Sequence, residues 1–460
     1  MKIKPTQQSW IRALDSKFKI CSKKLTNFKI CYKALMILAA LALFASALLS
    51  GQEEITIRIK EGMPMIPVAL PEFQFAETSL PNNEIKNMIY ETLWKDLEFS
   101  RVFKLVPREH YSYISRFDPG AINFKDWASI QANILISGQL ETTADERIIF
   151  SIKVYEVNSA RFVFGRNFGG KKDLSRMIAH RVADEMMKHF GEKPLFTSKI
   201  VYISETDAGQ EVYIMDYDGF RPTRITFNNY IDMLPSWSAD NEKIIYTAYR
   251  RLNPDLYMFD IYSGKTEMLS AGGVNYAADW SPNAEQIVYT SSKDGNTEIY
   301  LRDMKTGQEK RLTFNPAIDT SPCWSPNGRE IAFTSQRNGT PQIYVMDAEG
   351  SNIRRITTEG SYHDSSAWSP DGMRIAYVSR IEGRFDIYVY NLKSNSIIKL
   401  TENAGRNENP SWSPDARHLV FSSNRSGRYQ LYLMDYDGRN VRQITSAGEN
   451  KMPKWQKLYK

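Results

Sequence analysis

From residue 198 onward, apolar and polar positions alternate in short runs separated by turn residues. IAFTS at 331–335, IAYVS at 375–379 and LVFSS at 419–423 are such runs, as are IYVMD at 343–347, IYVYN at 387–391 and LYLMD at 431–435. A period of two puts one face of a strand in a core and the other outside. Turn signals such as Asn338-Gly339 and Asp437-Gly438 punctuate the runs closely enough to predict antiparallel meanders rather than βαβ units.

The meanders recur at a fixed period. Trp237, Trp280, Trp324, Trp368, Trp412 and Trp455 are spaced 43, 44, 44, 44 and 43 residues apart, and four of them open a Trp-Ser-Pro triplet. Each unit closes on Ile-Thr or Leu-Thr, as at Leu312-Thr313, Ile356-Thr357, Leu400-Thr401 and Ile444-Thr445. With the strand that runs into the Trp, each unit holds four strands, which describes a propeller blade. Residues 198–226 lack a Trp strand before them, and Met452–Trp455 is a Trp strand with nothing after it. Joined, these halves make one blade. The expectation is a six-bladed ring closed by a blade shared between residues near 198 and the C-terminus, leaving no open sheet edge at the junction. One Trp per unit at one position predicts packing between neighbouring sheets, not ligand stacking.

Residues 52–190 lack this period. A strand is expected at Ile55–Ile59, after which Pro64, Pro67, Pro71 and Pro81 interrupt the chain. Ile85, Met88, Ile89, Leu93 and Leu97 share one face of a helix predicted over Asn83–Leu97. Strands follow at Val102–Val106, Ile134–Leu140, Ile148–Val157 and Phe162–Phe168. A second helix is predicted over Leu174–Phe190, capped by Asp173 and ended by Gly191. The fold class is thus a small α/β N-terminal domain (52–190), a linker (191–197) and an all-β six-bladed propeller (198–460).

Charge changes the picture at the N-terminus. The formal net charge is +6, but residues 1–33 carry nine Lys or Arg against Asp15 alone, and the remainder holds 50 basic and 52 acidic residues. That body offers no electrostatic reason to bind nucleic acid. The uncharged run Ala34–Leu49 follows the basic stretch and ends in small residues, the order of a secretory signal peptide over 1–51. An uncleaved anchor is the alternative, although the run is short of the roughly 20 residues that a span needs. Secretion, with no membrane span in the mature chain, is expected. Of three cysteines, only Cys323 lies beyond this segment, so no internal disulfide or thiolate metal site is expected there. Beside Trp324, it reads as a small packing residue.

The N-terminal part also carries motifs. Asp96-Leu97-Glu98-Phe99-Ser100-Arg101-Val102-Phe103, Asn133–Gly138, Ile178-Ala179-His180-Arg181-Val182-Ala183-Asp184 and Phe196–Tyr202 resemble, in order, four stretches of the TolB family. The Trp-Ser-Pro repeat resembles that family's propeller. Arg101 stands where the family usually has Gly, and Asn133 where it usually has Asp. The resemblance implies a non-catalytic, periplasmic component of the Tol–Pal system, expected as a monomer and serving outer-membrane integrity and constriction at division. It implies a peptidoglycan-associated lipoprotein, Pal, bound at one propeller mouth, and an inner-membrane protein, TolA, engaged by the N-terminal region.

Propeller ligands bind where loops converge on the ring. The polar residue five positions before each Trp is therefore a candidate: Asp232, Asn275, Asp319, His363, Asn407 and Asn450. Turn chemistry is the competing explanation for each. By family analogy the set extends to Tyr276, Ala277, Thr320 and Asp364. Ile55, Ile57 and Ile59 resemble the strand used for TolA, or form an ordinary edge strand. No H-E-x-x-H or G-x-S-x-G motif is present, and Asp216–Gly219 and Asp435–Gly438 read as hairpin turns rather than calcium loops. No cofactor, metal or catalytic residue is expected. The alternative from another class is a propeller carbohydrate-binding protein or lyase.

Overall fold

The computed structural model describes residues 64–458 except 78, 115, 116, 146, 208, 271 and 359, all within one compact unit spanning 58–460. The expected signal segment and the strand at Ile55–Ile59 lie outside the described residues.

The N-terminal part is a sheet with helices on it. Its strands are β1 (Ile66–Ala69), β2 (Gln74–Phe75), β3 (Phe103–Leu105), β4 (Ile134–Thr142), β5 (Arg147–Glu156) and β6 (Arg161–Lys171), in the order β3-β1-β4-β5-β6 with β2 on β4. Helices α1 (Asn83–Phe99), α2 (Phe124–Ser129) and α3 (Ser175–His189) complete it. Asn82 caps α1 by accepting from the Ile85 amide at 3.1 Å. The expected cap at Asp173 does not form. A short 3₁₀ turn over Lys172–Leu174 leads into α3, and no side chain caps it. Gly191 does end α3, at φ 76°, its amide donating to Lys188. The proline-interrupted segment holds β1, which the sequence did not predict. Pro67 is tolerated because β1 pairs in short parallel runs on each side.

The propeller is a ring of six four-stranded sheets. Five are continuous in sequence. The sixth takes its innermost strand, Glu449–Trp455, from the C-terminus and its other three from residues 199–224, with Trp455 opposite Ile200. The shared blade is therefore present as expected. The Trp side chains are 1–6% exposed and sit in the apolar layers between sheets; Trp237, for example, packs with Val201, Ile203 and Tyr246.

The repeat motifs each hold a particular bond. In the five continuous blades the Ser hydroxyl after the Trp accepts from the amide six positions past the Trp, as in Lys243 to Ser238 (2.9 Å) and Arg374 to Ser369 (2.9 Å). The closing Thr hydroxyl accepts from the second residue of the third strand, as in Ile299 to Thr313 (2.9 Å) and Leu431 to Thr445 (2.9 Å). The residue before the Trp ties one blade to the next: Asp279 accepts from the Trp324 amide at 2.9 Å, and Ser411 from the Trp455 amide at 3.0 Å. Cys323 holds this position. Its buried Sγ lies 3.5 Å from the Trp368 amide, so it bonds between blades as well as packing.

The two parts share one core. Ile178, Val182 and Met186 of α3 belong to the same apolar cluster as Val420, Leu431, Leu433 and Trp455 of the propeller. The segment 191–197 is built into that core: Leu195 and Phe196 are fully buried. The Asp184 carboxylate accepts from the amides of Leu195, Phe196 and Thr197 at 2.8, 2.8 and 3.0 Å. That geometry accounts for the Asp at the end of the α3 motif.

Candidate functional site

Each innermost strand runs from one mouth of the ring to the other. At the mouth where these strands begin, loops from the fourth strand of one blade to the first of the next converge with loops joining second and third strands. The opposite mouth carries the Trp-Ser-Pro turns, and there the α/β part docks.

Asp232, Asn275, Asp319, His363 and Asn407 begin their innermost strands and Asn450 is the second residue of its own, but all six are 0–3% exposed. They do not present themselves to the channel. Their bonds run into loops and neighbouring blades. Asn228 donates to Asp232 at 2.9 Å, Arg337 pairs with Asp319 at 2.9 Å, and Arg425 donates to Asn407 at 2.7 Å. Asn407 reaches Asp386 of the preceding blade at 3.1 Å, and Asn450 reaches Gln430 at 2.9 Å. His363 lies edge-on to Tyr377, with ring centroids 5.4 Å apart. Asn275 accepts from Ser291 at 2.7 Å. Burial pushes the Asp232 carboxyl up to about 6, against the bonds from Thr226 and Asn228, and raises that of Asp319.

The residues that follow do face the axis. Tyr276, Thr320 and Asp364 are half-buried at equivalent positions. The Thr320 hydroxyl donates to Tyr276 Oη across the blade gap at 2.9 Å. Asp364 accepts from Thr334 at 2.8 Å and Tyr362 at 3.3 Å. Ala277 comes next, and with Leu234, Ser321, Ser365, Asn409 and Met452 it lines the channel. All six adopt positive φ of 51–55° or 57°, at a bulge in each innermost strand. A bulge bends each strand around the axis.

Sequence reasoning missed the most exposed part of this mouth. Phe227, Leu252 and Phe314 are 73%, 95% and 76% exposed, and Tyr230, Ile231, Tyr249 and Ile318 accompany them on loops of adjacent blades. The signal was a repeated Thr-Phe-Asn at 226–228 and 313–315, where a large apolar residue follows the closing Thr. Arg224 and Arg311 lie over the two Phe rings at 4.7 and 4.8 Å.

At the other mouth, α1 and α3 clasp the shared blade through buried polar groups. Asp96 accepts from Tyr217 Oη at 2.6 Å and meets His180 Nδ1 at 2.8 Å, with all three side chains 3% exposed or less. Burial raises the Asp96 carboxyl and keeps the Tyr217 hydroxyl protonated. Burial alone would lower His180, but the adjacent Asp96 holds it above the ordinary imidazole value. An Asp-His pair could serve as a general base where substrate reaches it, but this one is sealed from solvent. Its chemistry is that of a joint. Arg176 reaches both Thr92 (3.1 Å) and Asp218. The turn Asp216–Gly219 is a hairpin turn, as expected, and it supplies two of the clasp's groups. Phe99 stacks on the buried His418 ring at 4.0 Å, beneath Arg442 at 4.2 Å. Among the described residues, no three His, Cys, Asp or Glu stand close enough to hold a metal.

Residues 54–163 match the family described as the TolB amino-terminal domain, and 187–385 with 363–458 match the TolB beta propeller domain. The chain belongs to the TolB family. A Tol-Pal system protein TolB of Desulfosudis oleivorans is 33% identical over 251 residues, covering 53% of this chain and 56% of that protein. One of Paramagnetospirillum magneticum is 33% identical over 243 residues, covering 50% and 54%. The chain thus aligns with about half the length of these curated relatives. The crystal structure of TolB from Acinetobacter baumannii superposes with a TM-score of 0.73 at 26% identity, covering 86% of this chain and 97% of that one.

Membership of the TolB family makes the departure at Arg101 interpretable. Arg101 adopts φ 57°, a conformation in which Gly is unstrained. Its guanidinium pairs with Asp435 of the propeller at 3.0 Å, a contact between the two parts that a Gly cannot make. Asn133, the other departure, joins β1 and β5 through its backbone, donating to Pro67 and accepting from Val157. Ile55, Ile57 and Ile59 lie outside the described residues.

Proposed function

We propose that this chain is a non-catalytic, periplasmic binding component of the Tol–Pal system. It docks a Pal-like peptidoglycan-associated lipoprotein at the free propeller mouth and a TolA-like protein through its N-terminal region, Ile55, Ile57 and Ile59 included. In that role it supports outer-membrane integrity and envelope constriction. The observation that carries this reading is the set of exposed apolar side chains on the loops of the mouth opposite the α/β part. Phe227, Leu252 and Phe314 stand out from a polar rim, the composition of a protein-docking patch. Relatives named as Tol-Pal system proteins support the system. The channel residues Tyr276, Ala277, Thr320 and Asp364 form the inner part of the proposed surface. Asp232, Asn275, Asp319, His363, Asn407 and Asn450 hold its loops from beneath.

Titration calorimetry with the soluble domain of the organism's own peptidoglycan-associated lipoprotein tests this. Leu252→Glu with Phe314→Glu should weaken binding at least about a hundredfold, the scale of losing two central anchors, while Tm stays unchanged. Equal binding by wild type and variant would remove the mouth from consideration. Absence of any binding by the folded wild-type chain would overturn the assignment of this partner.

A further inference from the structure

The propeller keeps its sheet edges short: its outermost strands are two or three residues long. The α/β sheet does the opposite at one side. β6 runs for 11 residues and, among the described residues, pairs only with β5. A long unpaired edge is a template for another strand unless the protein blunts it. β6 contains no proline, and its one bulge lies at the end nearest Phe162.

The direction of the backbone groups follows from the glycines. A Cβ built on Gly165 would lie 3.1 Å from the Ile152 carbonyl oxygen, and one on Gly169 3.7 Å from that of Ile148. Those carbonyls therefore point at β6. Ile152 with Arg166, and Ile148 with Gly170, are then the bonded pairs of the ladder. The N–H and C=O groups of Gly165, Asn167 and Gly169 are left pointing away from β5, and all three residues are exposed.

The side chains around this edge define what it would accept. Phe164 and Phe168 face α3 and are buried, whereas the other face carries Gly165 and Gly169. These glycines leave Lys153 and Ile149 of β5, which sit opposite them, uncovered. Phe162 and Val163 add apolar surface, 54% and 36% exposed. β6 carries Arg161, Arg166 and Lys171 and no acid. Arg161 and Arg166 are paired to Glu156 and Glu185, but Lys153 and Lys171 have no salt bridge among the described residues. A second copy of β6 would set these cations against one another.

We propose that the β6 edge is a docking site for an extended, acidic segment of a partner protein, added to the sheet as a further strand. The incoming strand places an apolar residue beside Gly169, against Ile149, and a carboxylate beside Gly165, against Lys153. This proposal does not rest on the function assigned to the propeller mouth.

The test uses the full chain and a blocked, threonine-rich synthetic peptide that carries a valine and a glutamate four residues apart, the spacing of Gly169 from Gly165, with further glutamates outside this pair, measured by fluorescence anisotropy at low salt. A valine–lysine counterpart and a backbone N-methylated version of the acidic peptide serve as controls. In the chain, Asn167→Pro removes one outward N–H and no bond to β5, a placement that edge strands tolerate. The acidic peptide should bind, and Asn167→Pro should weaken it at least about tenfold with circular dichroism unchanged. N-methylation should weaken it as much, an arm that does not depend on how the variant folds. Equal binding of the lysine peptide, undiminished binding of the methylated one, or no binding of the acidic peptide would each overturn the proposal. So would sedimentation showing a dimer that dissociates in Asn167→Pro, which would give the edge to a second copy.

Discussion

Asp232 is a carboxylate at a place where three of the six blades have Asn. It is fully buried, and its carboxyl titrates near 6 rather than at 3.8. Because the folded state holds that proton more tightly, the stabilisation is complete below pH 3.8 and declines as pH rises to about 6. The charged form then costs up to about 3 kcal/mol at neutral pH. Asp232→Asn should therefore raise Tm at pH 7 and leave it nearly unchanged at pH 4, as calorimetry across that range would show. A variant destabilised at pH 7 would mean that the negative charge itself holds the Asn228 loop. The periodic polar position was legible in the sequence, but its burial was not. Whether a side chain at a strand start points along the axis or beneath a loop depends on the bulge two residues later, which no local pattern in the sequence marks.

At the scale of elements, the two long helices α1 and α3 were readable because their apolar faces recur at helical spacing, and their boundaries differ only at the caps; the six-residue α2 is too short to show such a face and was not predicted. What α1 and α3 do was not readable. Asp96 and His180 are 84 residues apart and meet Tyr217 only because both helices lie across the turn of the shared blade. Asp96→Ala leaves His180 and Tyr217 buried without their acceptor and should cost about 3 kcal/mol, the scale of breaking a buried ionic pair. Hydrogen exchange should then quicken in α1, α3 and the turn at 216–219 while the other five blades keep their protection. Asp96, His180 and Tyr217 of the clasp are all raised, so its stabilisation is greatest at low pH and is lost as pH rises through the folded values. The gap between wild type and Asp96→Ala should narrow in the same direction.

For the whole molecule, Trp455 is the keystone residue. Its indole N–H donates to Ser198 at 2.8 Å, its amide to Ser411 at 3.0 Å, and its ring belongs to the core shared with α3. Trp455→Ala should cost about 3–5 kcal/mol and loosen the seated α/β part together with the closing blade. Denaturant unfolding should lose cooperativity, whereas Trp412→Ala, inside a continuous blade, should lower stability and keep one transition. A single sharp transition in both variants would show that ring closure does not depend on this residue. The number of blades, the shared blade and the family were determined by the sequence alone, because a strand's alternation and a 44-residue period are local quantities that survive any tertiary arrangement. Tertiary structure decided which polar residues are buried, which mouth is left free, and that the two parts share a core. Those depend on the packing of segments hundreds of residues apart, where burial and backbone direction are set by neighbours that no local pattern names.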